Sequence, residues 1–179
     1  MTTNDQGTTS PTRDQRFVDT ILQRCANDKG IAARLRRADN PDTEYQSWEV
    51  LGAFGIDLEN DSERLPYATV AAVIAKSKVT VNGTLTLGLA IASCYDEGHE
   101  SSAAKTRLRR LLACNDLAEA CRVLRPILTL IGSRAGQPLD FVRLLGQLRR
   151  FPFHDLAVKS QWAQEFYRQV ARPTKEAEV

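Results

Sequence analysis

Cations set beside apolar stripes are the first chemistry this sequence offers. Between Ser101 and Arg150 lie ten Lys or Arg residues against three Asp or Glu. They fall in three segments, KTRLRRLLA, EACRVLRPILTLIGSR and LDFVRLLGQLRR. In the first, Ala104, Leu108, Leu111 and Leu112 line one helix face, with Arg107 and Arg110 on one flank and Lys105 and Arg109 on the other. In the second, Arg122 and Arg125 are three apart. In the third, Phe141, Leu144, Leu145 and Leu148 form the stripe, and Arg149 and Arg150 close the last turn, where cations suit the negative helix end. Several cations on one surface are what phosphate binding requires. Helical spacing does not by itself put the three sets on one face, and each arginine read alone is a solvated surface residue.

Groups that move protons, attack or hold metal are sparse. The two histidines, His99 and His154, stand in no motif, and HExxH, GxSxG and paired-carboxylate patterns are absent from the sequence. Cys25, Cys94, Cys114 and Cys121 form no CxxC pair, and a zinc site needs ligands at short, characteristic spacings. Reduced, buried thiols are expected, with no metal and no cofactor. Asp116 reads as a helix N-cap with Glu119 at the capping-box position, and Asp140 as the N-terminal charge of a basic helix. Binding, not catalysis, is the better reading.

The elements that would carry these cations are helical. The chain has 179 residues, 42% apolar, with a net charge of +2, so its charge distribution matters more than its total. From Ala38 to Glu63 there are eight acidic residues and no Lys or Arg. No run approaches the ~20 apolar residues of a membrane span, and the polar start MTTNDQGTTSPT is no signal peptide. A cytoplasmic protein is expected, with disordered tails at residues 1–12 and 171–179.

In chain order, Phe17, Ile21, Leu22 and Cys25 mark a first helix, and GIAARLRRA a short second one ending in Arg34, Arg36 and Arg37. A helix over about Thr43 to Phe54 would turn Tyr45, Trp48, Leu51 and Phe54 inward. LPYATVAAVIA predicts an apolar helix with Pro66 in its first turn. Lys76 and Lys78 follow, then the turn Asn82-Gly83. The helix Leu85 to Tyr95 holds Gly88, which implies a close helix contact. Pro126 is expected to kink or break the middle basic helix, and Phe151-Pro152-Phe153 to end the next. A last helix from about His154 to Val170 carries Leu156, Val158, Trp162, Phe166 and Val170. No persuasive strand set exists. The expected fold class is all-α, eight or nine helices in two small bundles, residues 13–97 and 101–170, with the boundary in Asp96 to Ser102.

The ordered series RLPYATVAAVIA (64–75), TLTLGLAIASCY (84–95), RLRRLLACND (107–116), ACRVLRPILTLI (120–131), LDFVRLLGQLRRF (139–151) and VKSQWAQEFY (158–167) resembles the CasB family. That family is the small subunit of Cascade, the type I-E CRISPR surveillance complex. The likeness runs from Arg16 to Tyr167. It implies a non-enzymatic, all-α protein that pairs with a second copy of itself, head to tail, among other Cascade subunits along the guide RNA. It implies support of the guide–target DNA R-loop and of the displaced strand, with cleavage left to a separate nuclease. Matching basic positions gives Arg37, Lys78, Arg107, Arg125, Arg149 and Arg150 as nucleic-acid contacts. Helical spacing adds Arg36, Arg110 and Arg122. Such a subunit tracks backbone charge, because guide pairing reads the sequence. Arg107, Arg125 and Arg149-Arg150 are expected to share one groove, with the acidic stretch turned away or against a basic partner.

Two rival classes remain open on the residues alone. A helical protein–protein adaptor would set its basic face against an acidic partner. A helix-turn-helix regulator would need a recognition helix with base-reading side chains, whereas the second helix of RRLLACNDLAEACRVL is largely apolar.

Overall fold

The computed structural model describes residues 10–168. Among them are eight helices: α1 (Arg13–Asn27), α2 (Lys29–Arg36), α3 (Trp48–Ala53), α4 (Asp61–Ser77), α5 (Leu87–Ser93), α6 (Ser102–Leu112), α7 (Leu117–Arg134) and α8 (Phe141–Tyr167). Short 3-10 turns occupy Arg37–Asp39, Glu44–Ser47 and Gly98–Glu100. The described residues contain no strand, only one isolated parallel bridge between Leu85 and Leu139. The fold is all-α. The expected tails lie outside the described residues except for 10–12, which lead into α1, and so does Val170.

Side-chain caps set most helix starts. Thr12 accepts from the Gln15 N–H to open α1. Asp28 does double duty: its N–H closes α1 on the Arg24 carbonyl, and its carboxylate accepts from Gly30 and Ile31 to open α2. Asn60 caps α4. Asp116 accepts from Glu119 N–H at 2.8 Å, and Glu119 reaches back to Asn115 N–H at 2.9 Å, so the expected capping box is present, closed one residue before the cap.

The centre is α4. Pro66 to Ala75 are all buried, as in a helix surrounded on every side, and α1, α2, α7 and α8 pack around it. It begins at Asp61, so Pro66 sits in its interior. The buried apolar residues on both sides of the expected boundary belong to one cluster, and that boundary falls on the 3-10 turn Gly98–Glu100.

Glycines permit two of the contacts. A Cβ on Gly88 would lie 2.4 Å from Phe166 N and from Trp162 O, so α5 meets α8 through its backbone as expected. A Cβ on Gly83 would lie 1.8 Å from Pro138 O, where the loop before α5 pairs with residues 138–140. Its neighbour Asn82 accepts from Phe141 N–H at 2.8 Å and donates to Asp140 Oδ1 at 3.1 Å. The Asn-Gly turn therefore helps cap α8 from 58 residues away.

Three further expectations are corrected. Tyr45 and Trp48 are 59% and 40% exposed. The segment opens as a 3-10 turn, in which every third residue shares a face, so Glu44, Ser47 and Val50 point inward instead. Pro126 does not break α7; it lies on the exposed side, where water can take the freed Arg122 carbonyl. Leu156 is 75% exposed, because of how α8 turns. At His154 the backbone leaves helical geometry (φ −144°, ψ 45°) just after Pro152. Beyond it the chain doubles back. Arg143 Nε reaches Glu165 at 2.8 Å, Trp162 Nε1 reaches Gln147 at 2.9 Å and Arg150 reaches Gln161 at 3.0 Å. α8 is thus a helical hairpin, and residues 152–157 are its exposed tip.

Candidate nucleic-acid interface

Burial sorts the nine cations into two groups. Arg36, Arg37, Lys78, Arg110, Arg122 and Arg150 are exposed, while Arg107, Arg125 and Arg149 are half-buried. The exposed ones sit on rigid supports. Arg36 and Arg37 close α2, and Arg37 is steadied by a 2.7 Å hydrogen bond to Gln46. Lys78 ends α4 in the left-handed region, at φ 57°. Arg110 lies in the last turn of α6. Arg122, on α7, comes only within 3.6 Å of Glu119. Arg150 donates to Gly146 O and Gln161 Oε1, both neutral, so its charge stays unpaired.

The half-buried arginines have other surroundings. Arg149 donates to Asp14 Oδ1 at 2.6 Å and lies 5.6 Å from the centre of the Tyr67 ring. Arg13 approaches that ring at the same distance, and the Tyr67 hydroxyl donates to Asp14 at 3.1 Å. Burial, then the Asp14 charge, push Tyr67 up to about 12. Arg149 therefore ties α8 to α1 and α4. Arg107 lies 5.5 Å from the Tyr95 ring. Arg125 lines two hollows, and its Nε is buried without a hydrogen-bond partner.

Arg149 and Arg150 line a surface hollow of about 400 Å³ together with Asp14, Arg143 and Gly146. Arg122 and Arg125 line a second, with Arg64 and Trp48. Arg107 lies in neither hollow. Burial raises the Cys94 thiol, and the charges of Arg134 and Arg107 oppose that rise. Arg143 was legible but overlooked: it stands seven residues before Arg150, two turns along the same face.

Five of the eight acids of the stretch are paired inside the molecule. Glu44 and Asp61 hold Arg64 at 2.6 Å each, Glu63 meets Arg13 at 2.8 Å, Glu49 pairs with Arg34 and Asp39 pairs with Lys76. Buried Glu44 is stabilised by this pairing, because an unpaired carboxylate there would be costly. Cys94, Cys114 and Cys121 are buried and free, and Cys25 is half-buried. Burial pushes the Cys121 thiol to about 11, which leaves it protonated and unreactive at neutral pH. No described helix is long and apolar enough to cross a membrane.

A family model described as CRISPR-associated protein Cse2 matches residues 32–167. Among solved structures, CasB from M. ruber is similar at 28% identity and a TM-score of 0.71, over 89% of this chain and 95% of that one. A CRISPR-associated protein of the Cse2 family from Thermus thermophilus gives 24% identity and a TM-score of 0.70, over 86% and 97%. A chain of a CRISPR RNA-guided surveillance complex gives 24% and 0.66, over 87% and 91%. No curated protein sequence matches.

Proposed function

The chain belongs to the CRISPR-associated Cse2 family, and on that premise we propose that it is a non-catalytic structural subunit of an RNA-guided surveillance complex of the Cascade, type I-E kind. In this reading it stabilises the guide RNA–target DNA R-loop and the displaced strand by holding backbone phosphates. Other Cascade subunits and a second copy of the chain are its protein partners.

One observation carries the reading: cations in residues 101–150 exceed their intramolecular partners. Lys105, Arg122, Arg143 and Arg149 have carboxylates in reach. Among the described residues Arg107, Arg109, Arg110, Arg125, Arg134 and Arg150 have none within ion-pair distance. Arg13, Arg34, Arg64 and Lys76, by contrast, are each matched by an acid of the stretch 38–63. An unmatched excess on rigid helices suits a polyanion that runs across a surface, where each neutralised phosphate releases counterions. The exposed set of Arg36, Arg37, Lys78, Arg110, Arg122 and Arg150 makes the outer contacts. Arg107 and Arg149 stand behind it, braced by Tyr95 and Asp14.

The test is reconstitution. The chain is mixed with the other subunits and guide RNA and followed by gel filtration with and without target DNA. Co-elution, weakened by Arg150→Ala only in the DNA-bound sample, supports the reading. A folded chain that joins no guide-containing assembly, or that binds heparin as well as DNA, points instead to an adaptor with an acidic partner.

A further inference from the structure

One face of α8 carries cations and runs on into an exposed aromatic ring. Arg143, Gly146, Arg150 and Phe153 follow at i, i+3, i+7 and i+10, the spacing of a single helix face. The first three line the hollow of about 400 Å³ with Asp14 and Arg149. Phe153 extends the face by one turn, just before the backbone leaves helical geometry at His154. Gly146 keeps the hollow open. It sits inside a helix, where glycine is disfavoured, yet a Cβ there would meet only Asp14 Oδ2, at 3.8 Å. Packing does not require the glycine.

Phe153, at 73%, and Leu156 are the most exposed large apolar side chains among the described residues. The turn that presents the ring is tied down from below. Phe151 is buried and stacks on Trp162 with ring centres 5.7 Å apart, and Lys159 lies 5.5 Å from the Phe151 ring centre. Trp162 Nε1 donates to Gln147 at 2.9 Å. Pro152, between the two phenylalanines, fixes its own φ. Charges at the tip are few. Asp155 pairs with Lys159 at 3.1 Å, which leaves Arg150, bonded only to neutral groups, as the unmatched charge one turn from the ring.

An exposed ring one turn from an unmatched arginine fits a nucleotide. Helix residues three apart have Cβ atoms ~5–6 Å apart, comparable to the reach from a backbone phosphate to its own base. A phosphate on Arg150 therefore sets a base at Phe153. A protein partner fits less well, because a phenylalanine buries only ~150–250 Å² against the ~800 Å² per partner of a stable interface. The base must also be unpaired to offer its face. In the reading above, on which this inference rests, the target strand is paired with the guide and the displaced strand is not.

We propose that Phe153 is a stacking platform for an unpaired base of the displaced DNA strand, placed by the phosphate that Arg150 holds. Every base has a π-face, so the platform grips the strand without reading its sequence. It adds a contact that salt does not screen, and it favours single strands over a duplex, whose bases stack on one another.

The experiment is fluorescence anisotropy of the full chain with three labelled probes, each across salt: an oligothymidylate, the same backbone with abasic sites in place of bases, and a duplex. The native chain prefers the oligothymidylate to the abasic strand. Phe153→Ala weakens oligothymidylate binding by roughly five- to a hundredfold and abolishes the preference. It leaves duplex affinity, the salt slope and the melting temperature unchanged. Phe153→Trp keeps the preference, and Phe153→Leu, apolar but without a ring, loses it. Leu156→Ala binds like the native chain, while Arg150→Ala lowers the salt slope by about 0.7. A native chain that binds both single strands equally, or a Phe153→Leu variant that binds like the native chain, overturns the proposal and leaves the phosphate contacts standing. A loss in Leu156→Ala equal to that in Phe153→Ala also overturns it, because the tip is then a general apolar contact. A native chain that binds no single-stranded DNA even at low salt defeats the underlying reading, so the two failures are distinguishable.

Discussion

Replacing Arg149 with alanine should cost stability first and nucleic-acid affinity second, the reverse of Arg150→Ala. The Arg149 side chain is 38% exposed and its partner Asp14 only 15%, so the pair lies between a screened surface bridge and a buried one. A hydrogen bond to a charged group nets ~1.5–3 kcal/mol, and partial exposure takes this toward the lower bound. The guanidinium over Tyr67 adds ~0.5 kcal/mol. Asp14 keeps the Tyr67 hydroxyl as a donor, so it is not left wholly unpaired. The expected loss is ~1.5–2 kcal/mol, or ~3–8 °C in melting temperature for a chain of this size. Urea unfolding of Arg149→Ala, Asp14→Asn and the double variant isolates the coupling, expected at ~1 kcal/mol. The companion assay is single-stranded DNA binding against salt. There Arg150→Ala removes about one phosphate contact, ~0.7 from the slope, with stability within ~0.5 kcal/mol of the native chain. The reasoning fails if Arg149→Ala lowers the slope by that amount and leaves both the melting temperature and the coupling to Asp14 at zero.

Glycine substitutions should separate contact from opportunity. Gly88→Ala is expected to lose about 3 kcal/mol or more in urea unfolding, because its Cβ would fall 2.4 Å from α8 backbone atoms and backbone cannot yield as a side chain does. Gly132→Ala, with open space at its Cβ, should gain up to ~1 kcal/mol in the same assay. Asn82→Ala removes a cap formed from outside the helix it serves, and should cost ~1–2 kcal/mol with hydrogen exchange rising first at Phe141 and Val142. Tyr67 gives an alkaline signature. Its hydroxyl rises from an ordinary 10 to about 12 on folding, so between those values the unfolded chain gives up the proton and the folded chain keeps it. The contribution is complete below pH 10 and falls away toward pH 12, by on the order of 2–3 kcal/mol. In Tyr67→Phe, stability measured across that window should lose this slope.

Local rules carried the fold a long way. The stripes Ala104–Leu108–Leu111 and Phe141–Leu144–Leu145–Leu148 are buried as their spacing requires, and the Asp116 and Asp140 caps form. The close contact at Gly88 could be anticipated because a helical glycine needs a reason. The failures share a cause too. A 3-10 turn shifts the phase of a stripe without changing its residues, and that put Tyr45 and Trp48 outside. Phe151-Pro152-Phe153 announces a break but not its direction, so the hairpin that exposes Leu156 was illegible. The carboxylate that holds Arg149 lies 135 residues away, beyond any periodicity.

The site was harder to read than the fold because helical spacing counts cations but not the acids that reach them through folding. In residues 101–150 the count looks like one basic surface. Folding sets Arg143 on Glu165, Arg149 on Asp14 and Lys105 on Glu100, and turns Arg125 into a groove between two helices. What remains is a set of separated positive points on rigid helices. Separation suits a ligand whose charges repeat along its length, since each point can meet a different phosphate and no point has to read a base. It suits a compact anion poorly, because that would need the charges to converge. The basic stretch is therefore better described by what each charge faces than by how many there are.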